Sequence, residues 1–276
     1  GRLQVMLDTA EIPYIGSGVL ASAVALNKAV SIATFARAGL HVARSVRVTR
    51  RDFYAAAHRV PTSAARPELG PLDPEQEALP RAVRDLRLPV FVKPVRGGSS
   101  LGVTLVKDPS AYPPALRKAL ELDTEALVEE KIEGCEVSCG VLDIVRDGQV
   151  VSTALPPTLI QPLEAEFFDY EAKYVPGKSR DTTPAPLPQE TLARIQVTAL
   201  AAHRALTCEG MSRTDMIVSP EPGAEPVILE LQTIPGMTPT SLLPQQCAAV
   251  GIDFPKFIDT LIDHALYRAQ NRRTIA

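Results

Sequence analysis

The chain has 276 residues, 45% hydrophobic and 22% charged, enough to bury a sizeable core in two domains at most and inconsistent with disorder or a coiled coil. Lys+Arg 29 against Asp+Glu 32 gives a net charge of -3, without the basic excess of a dedicated nucleic-acid or anionic-membrane binder, so a small-molecule partner is expected. No run approaches the roughly 20 apolar residues of a membrane span, and the opening GRLQVMLDTAEIPYIG has no basic stretch before an apolar core, which fits a cytoplasmic location.

Small and apolar residues from Ser17 to Ala38 predict one or two helices, with Ser17 as a possible N-cap and Gly39 as the stop. HVARSVRVT alternates as a strand, and RDFYAAAHRV has the composition of a short helix. Many of the 25 prolines fall in PTSAARPELGPLDPEQEALP, which reads as a loop or linker. RAVRDLR then leads into the β-rich run LPVFVKPV, the glycine turn RGGSSLGV and the strand TLVKD.

DPSAYPPALRKALELD opens on Asp108 ahead of a proline-containing helix, and TEALVEEKI and CEVSCGVLDIV supply strands. Cys135 and Cys139 alternate within the second of these and read as packing residues. With Cys208 and Cys247 they form no C-x-x-C pair, so neither a disulfide framework nor a zinc site is expected. The polar, aromatic EAEFFDYEAKYVPGKSRDTTPAPLP is too turn-rich for a regular element and reads as a lid or binding loop. PQETLARIQVTALAAHRAL has helical spacing, SRTDMIV and PVILELQTI form a hairpin across SPEPGAEP, and a helix closes the chain around PKFIDTLIDHALYRA. The fold class is therefore mixed α+β. His41, His58, His203 and His264 have no ligand-like spacing and read as structural or surface residues.

The hairpin carries the most chemistry. Side chains two apart on a strand share a face, so Arg213 and Asp215 point one way, as do Glu230 and Gln232, while Val227, Leu229 and Leu231 take the apolar face. If the polar faces coincide, a guanidinium, two carboxylates and an amide converge, and hard oxygen ligands of that kind suit Mg²⁺. A solvated sheet face with an Arg–Asp pair is the alternative. Lys93 followed by RGGSSLGV resembles a phosphate cradle, with Ser99 and Ser100 as hydroxyl donors, though it lacks the P-loop pattern and a plain glycine turn fits equally. Lys173 and Tyr174 lie on the lid stretch, where a cation can close over a transferring phosphate. IPGMTPTSLLP puts Gly236 and Ser241 at a turn beyond the hairpin, with backbone donors suited to a carboxylate.

Taken in order, IPYIGSGVLASAVALNK, LPVFVKPVRGGSSLGV, FFDYEAKY, MSRTDMIV and ELQTIPGMTPTSLLP resemble the D-alanine-D-alanine ligases of the ATP-grasp superfamily across nearly the whole chain. The resemblance implies an ATP-grasp fold in which nucleotide is held between two antiparallel β-sheet subdomains, here residues 17–127 and 128–276, with 1–16 as the remnant of an N-terminal domain that the family carries upstream. It implies ATP and two Mg²⁺ ions, or Mn²⁺, as cofactors, D-alanine as substrate, homodimers through the N-terminal domain, and no nucleic-acid or membrane partner. Lys28 and Lys93 resemble the lysines on the α and β phosphates, Ser100 belongs to the covering loop, and Lys173 reaches the γ-phosphate. Glu129 resembles the acceptor for the adenine amino group, the backbone of Lys131 and Ile132 the adenine edge contact, and Glu136 the ribose carboxylate. Asp215, Glu230 and Gln232 match metal-ligand positions, Arg213 the arginine that stabilises the transferring phosphoryl group, and Gly236 an oxyanion donor. Ser241 and Leu242 match the pocket for the second substrate's carboxylate, and Ser99 with Tyr174 a pair linking glycine loop to lid.

Two positions depart from the family pattern, Gln232 where Asn is usual and Asn27 where Asp is common. A ligase for D-alanyl-D-serine or D-alanyl-D-lactate, and a non-catalytic ATP-binding module, are the alternative readings.

Overall fold

The structure is a computed structural model that describes residues 1–57, 79–98, 100–162, 179–221 and 223–273. It divides into two compact units, one built from Gly1–Val42 and the described residues from Glu133 onward, the other from the described residues of Ala43–Ile132. The expected boundaries at 17 and 127 are thus displaced, because the N-terminal helices pack with the hairpin rather than with the strands that follow them in sequence.

In the first unit, α1 (Arg2–Thr9) precedes α2 (Val19–Leu26) and α3 (Lys28–Arg37). The predicted helical stretch breaks at Asn27, whose extended backbone and side chain, accepting from the Val30 amide at 3.1 Å, cap α3. The second unit begins with β1 (Ser45–Thr49) and α4 (Arg50–Ala57), then α5 (Arg81–Arg84), β2 (Val90–Pro94) and β3 (Thr104–Val106). After a 3-10 turn at Pro109–Ala111, α6 (Tyr112–Leu122) leads to β4 (Glu125–Glu130). Asp108 caps that turn, accepting from the Ser110 amide at 2.8 Å, and Pro113 and Pro114 sit in the first turn of α6, where a missing N–H costs nothing. The strands form one antiparallel sheet ordered β1-β4-β2-β3, and α6 lays Tyr112, Ala115, Leu116, Ala119 and Leu120 against Val90, Val92, Ala126 and Val128.

The first unit resumes at β5 (Cys135–Arg146), β6 (Gln149–Ala154), β7 (Thr158–Pro162) and β8 (Ser179–Thr182). It continues through α7 (Gln189–Ala205), β9 (Met211–Val218), β10 (Val227–Gln232), α8 (Leu242–Ala248) and α9 (Phe254–Arg273). Its antiparallel sheet runs β10-β9-β5-β7-β8, with β6 paired to β5. Strand β8 corrects the reading of the lid stretch as wholly irregular: Ser179–Thr182 pair with β7, whose edge satisfies a polar segment that lacks an alternating apolar face of its own. On one side of the sheet, Ile195, Ala199 and Ala202 of α7 join Val137, Cys139, Met216 and Ile228 in one core. On the other, α8 and α9 contribute Leu243, Cys247, Phe257 and Leu261 to a core with Leu142 and Met211.

Between these cores lies a buried polar cluster. Asp143 Oδ2 accepts from the Gly210 amide at 2.7 Å and lies 3.4 Å from His203 Nε2 and 3.7 Å from His264 Nε2, while His203 Nδ1 is 2.8 Å from Ser212 Oγ. Both histidines are structural, as expected. Burial alone would raise the Asp143 carboxyl, but His203, Ser152 and the Gly210 amide together hold it below its ordinary value. Burial lowers His264, with Arg268 and His203 adding to that and Asp143 and Glu209 opposing it.

A lowered histidine pKa means that the unfolded chain takes up the proton first as pH falls. Stability contributed by neutral His264 is complete above the unfolded value of about 6.5 and declines as pH drops toward the folded value. Urea midpoints should therefore fall between pH 7.5 and 5.5, and His264→Gln should flatten that slope; an equal slope in the variant refutes the assignment.

Candidate active site

Strand β9 places Arg213 and Asp215 two residues apart, and its register with β10 sets Glu230 opposite Asp215 and Gln232 opposite Arg213. The polar faces coincide as the hairpin predicted. The apolar face does not follow strict alternation, because a bulge falls between Ile228 and Glu230. Ile228 and Leu231 are the fully buried residues, whereas Val227 and Leu229 are half-buried. The extra residue lets an apolar side chain at 228 and a carboxylate at 230 sit on opposite faces.

On the other side of β9, β5 sets Ser138 opposite Asp215 and Glu136 opposite Ile217. Partners in an antiparallel pair share a face, so Glu136, Ser138, Arg213, Asp215, Glu230 and Gln232 occupy one face of three neighbouring strands. Asp215 is buried and held from two directions: Arg213 Nε donates to Oδ1 at 3.0 Å and Nη2 to Oδ2 at 2.8 Å, while Ser138 Oγ donates to Oδ1 at 2.7 Å. Burial works against the Arg213 charge, but Asp215, Glu230 and Glu136 outweigh it and hold the guanidinium above its ordinary pKa. Gln232 Nε2 donates to Glu230 Oε1 at 3.2 Å, and Lys28 Nζ, at the start of α3, lies 3.5 Å from Glu230 Oε2. The donor set offers two carboxylates and one amide oxygen. Among the described residues no three His, Cys, Asp or Glu side chains converge as a ready-made metal cluster, so any cation held here must share Asp215 and Glu230 with Arg213 and Lys28.

Beyond the hairpin, Ser241 is the N-cap residue of α8 and its Oγ lies 2.8 Å from Thr238 Oγ1. A Cβ on Gly236 would come within 2.7 Å of Ser241 Oγ, so the turn closes tightly enough to bring the Gly236 backbone beside that hydroxyl. Leu242 follows as the first residue of α8.

The second unit carries a separate group. Lys93 on β2 donates to Glu129 Oε1 on β4 at 2.8 Å, with the side chains only 12% and 3% exposed. Glu129 Oε2 is buried without a hydrogen-bond partner among the described residues, which suits an acceptor awaiting an amino group. The Lys131 amide donates to the Pro89 carbonyl at 3.0 Å, which fixes the 131–132 edge beside β2. In the glycine turn, Gly97 (φ 120°) and Ser100 (φ 56°) take left-handed conformations, and a Cβ on Gly97 or Gly98 would meet nothing within 4 Å among the described residues. The turn is open on that side, as a cradle requires. Ser99, Lys173 and Tyr174 lie outside the described residues.

Sequence reasoning missed Ser138, although the two-apart rule applied to Glu136 in CEVSCGV would have found it.

The family model for the D-ala D-ala ligase C-terminus matches residues 71–263. A D-alanine–D-alanine ligase of Nitratidesulfovibrio vulgaris is 44% identical over 95% of this chain and 75% of its own length. The VanG D-Ala:D-Ser ligase of Enterococcus faecalis superposes with a TM-score of 0.76 at 34% identity, covering 96% of this chain and 68% of that one. A D-alanine–D-alanine ligase of Bacillus anthracis, solved in complex with ATP, gives a TM-score of 0.73 at 27% identity, covering 99% and 76%. The two antiparallel units and the carboxylate-bearing hairpin are those of an ATP-grasp ligase. The chain belongs to the D-alanine-D-alanine ligase family.

Removing Lys93 leaves Glu129 buried without its cation, a loss that typically costs about 3–5 kcal/mol. Lys93→Met should lower the free energy of unfolding by that order in urea titrations, and Lys93→Met combined with Glu129→Gln should recover part of it. Additive losses in the double variant rule the pair out as the cause.

Proposed function

We propose that this chain is an ATP-dependent ligase that joins two D-alanines for peptidoglycan precursor synthesis in the cytoplasm. An ionised carboxylate is a poor electrophile. The first D-alanine therefore takes the γ-phosphoryl group of ATP on its carboxylate, releasing ADP. The amine of the second D-alanine attacks the acyl phosphate, forms the peptide bond, loses a proton and expels phosphate.

The observation that carries this reading is the single sheet face on which Arg213, Asp215, Glu230 and Gln232 meet beside Lys28. Charge accumulates on the phosphoryl oxygens as they transfer, and preorganised cations in a partly dry site are the effective response. Arg213 is already fixed by Asp215 and needs no reorganisation to meet that charge. Asp215, Glu230 and the Gln232 amide oxygen would hold two Mg²⁺ ions, or Mn²⁺, which supply charge neutralisation on the phosphates when bound. Lys28, Lys93, Ser100 and Lys173 are assigned to the phosphates. Glu129 accepts from the adenine amino group, the Lys131–Ile132 backbone meets its edge, and Glu136 takes the ribose. Gly236 donates to the oxyanion, and Ser241 with Leu242 receives the second carboxylate. Ser99 and Tyr174 are assigned to the link between glycine loop and lid, and homodimers are the expected assembly.

A D-serine acceptor is the second reading, supported by the 34% identity to the VanG ligase. Phosphate release from ATP and Mg²⁺, measured with D-alanine, D-serine and D-lactate and followed by product mass, decides between them. D-alanine-dependent release with a D-alanyl-D-alanine product is expected; ATP binding with no stimulation by any acceptor would reduce the chain to a nucleotide-binding module.

Gln232 is one methylene longer than Asn, a reach of roughly 1.5 Å, and in the structure that arm turns its amide nitrogen onto Glu230. A misplacement near 1 Å can cost about a hundredfold in rate. Gln232→Asn should raise turnover at low Mg²⁺ and lower the Mg²⁺ concentration needed for half-maximal rate, and a Mg²⁺ titration that shows neither overturns this account of the metal face.

A further inference from the structure

Strand β5 changes partners along its length. It pairs with β7 through Ser138↔Thr158 and with β6 from Val141↔Ala154 onward, leaving the ladder interrupted around Gly140. The Gln246 side chain, fully buried on α8, fills the interruption. Its Nε2 donates to the Ser138 carbonyl at 2.8 Å and to Thr158 Oγ1 at 3.0 Å, and its Oε1 accepts from the Gly140 amide at 2.8 Å. One side-chain amide thus presents to β5 the donor and acceptor that a neighbouring strand would present. Its close approach depends on Gly140, since a Cβ there would lie 2.6 Å from Gln246 Oε1 and would also collide with Leu243.

We propose that Gln246 is a positioning residue that ties the acceptor end of the site to the metal end, an inference that rests on the functional reading above. The chain of contacts is short. Ser241 and Leu242 begin α8, Gln246 lies in the same helix, Gln246 holds the main chain of Ser138, and the Ser138 hydroxyl holds Asp215. Movement of α8 along the sheet would break three hydrogen bonds at once and leave the buried Gln246 amide, the Ser138 carbonyl and the Gly140 N–H without these partners. Such losses are costly in a dry interior, so the clasp fixes where the acceptor carboxylate sits relative to Asp215.

Gln246→Met keeps length and approximate volume while removing every donor and acceptor. Thr158→Val removes one anchor of the amide and spares its main-chain bonds, a milder variant should the first fold poorly. Steady-state kinetics would be measured for both at fixed ATP, with thermal melts and hydrogen exchange of the Gly140 amide on the same preparations. The expected result for Gln246→Met is a KM for the acceptor D-alanine raised about tenfold, a fraction of the hundredfold that a 1 Å displacement can cost. The Mg²⁺ requirement should rise with it, while the KM for ATP stays within about twofold, the adenine contacts being assigned to the other unit. Thr158→Val should move the same parameters by a smaller factor.

A lowered melting temperature with acceptor KM and Mg²⁺ requirement unchanged in both variants would make Gln246 a purely structural residue and overturn the proposal. Equal increases in the KM for ATP and for D-alanine would overturn it too. Wild-type protein that forms no dipeptide refutes the functional reading instead, while slow exchange at Gly140 in wild type and fast exchange in Gln246→Met report the clasp independently of any activity.

Discussion

The first unit is organised around one buried carboxylate. Asp215 lies within a sheet face, where an unpaired charge would be expensive, and three donor bonds from two residues make it tolerable: the fork of Arg213 and the hydroxyl of Ser138. Those bonds require β5, β9 and β10 to keep their register, because a slip of one residue would turn every one of these side chains to the opposite face. The bulge beside Leu229 serves the same end, allowing Ile228 to enter the apolar core while Glu230 stays level with Asp215. Register, core packing and charge placement are therefore one constraint.

The second unit solves a similar problem with a different balance. Glu129 is almost wholly buried and satisfied on one oxygen by Lys93, with the other oxygen left without a hydrogen-bond partner among the described residues. A half-satisfied carboxylate is poor design for stability alone. Under the proposed function its second partner arrives with a ligand, which then contributes to stability by mass action. Under the proposed function Asp215, held by three hydrogen bonds before anything binds, is preorganised for charge that appears during reaction, whereas Glu129 serves recognition.

Much of this was legible in the sequence because it depends on short-range periodicity. The two-residue repeat in SRTDMIV and VILELQ placed four polar groups on one face, and the family motifs supplied the roles that spacing cannot. The helical stretch after Ser17, the helix after Asp108 and the β9–β10 hairpin follow from composition, caps and turns that act over a few residues, whereas the break at Asn27 was not read. What escaped reading depends on distant partners. Strands β6 and β7 were not picked out, β8 draws its order from the edge of β7, and the polar residues of its own segment suggested a loop. The bulge at Leu229 answers to the packing of Ile228, which alternation within the strand cannot reveal. Gln246 sits in a helix where a polar residue would ordinarily face solvent, and only the interrupted ladder of β5 explains its burial.

The same strand, β5, also separates two sets of polar groups. Toward its C-terminal end Asp143 meets His203 and His264, and Ser212 completes a serine, histidine and aspartate series that resembles a nucleophilic triad in composition. Its members are between 0% and 4% exposed, with apolar cores on both sides of the sheet. Five residues earlier, and so on the opposite face of the strand, Ser138 meets the hairpin and orients a carboxylate on the face that bears Glu230 and Gln232. Residue type is therefore a weak guide to role within this sheet. The face of the strand decides: Asp143 shares the side of Val137, Cys139 and Val141 that α7 covers, whereas Ser138 lies on the opposite side, where α8 packs and where the charged groups assigned to substrate chemistry also lie.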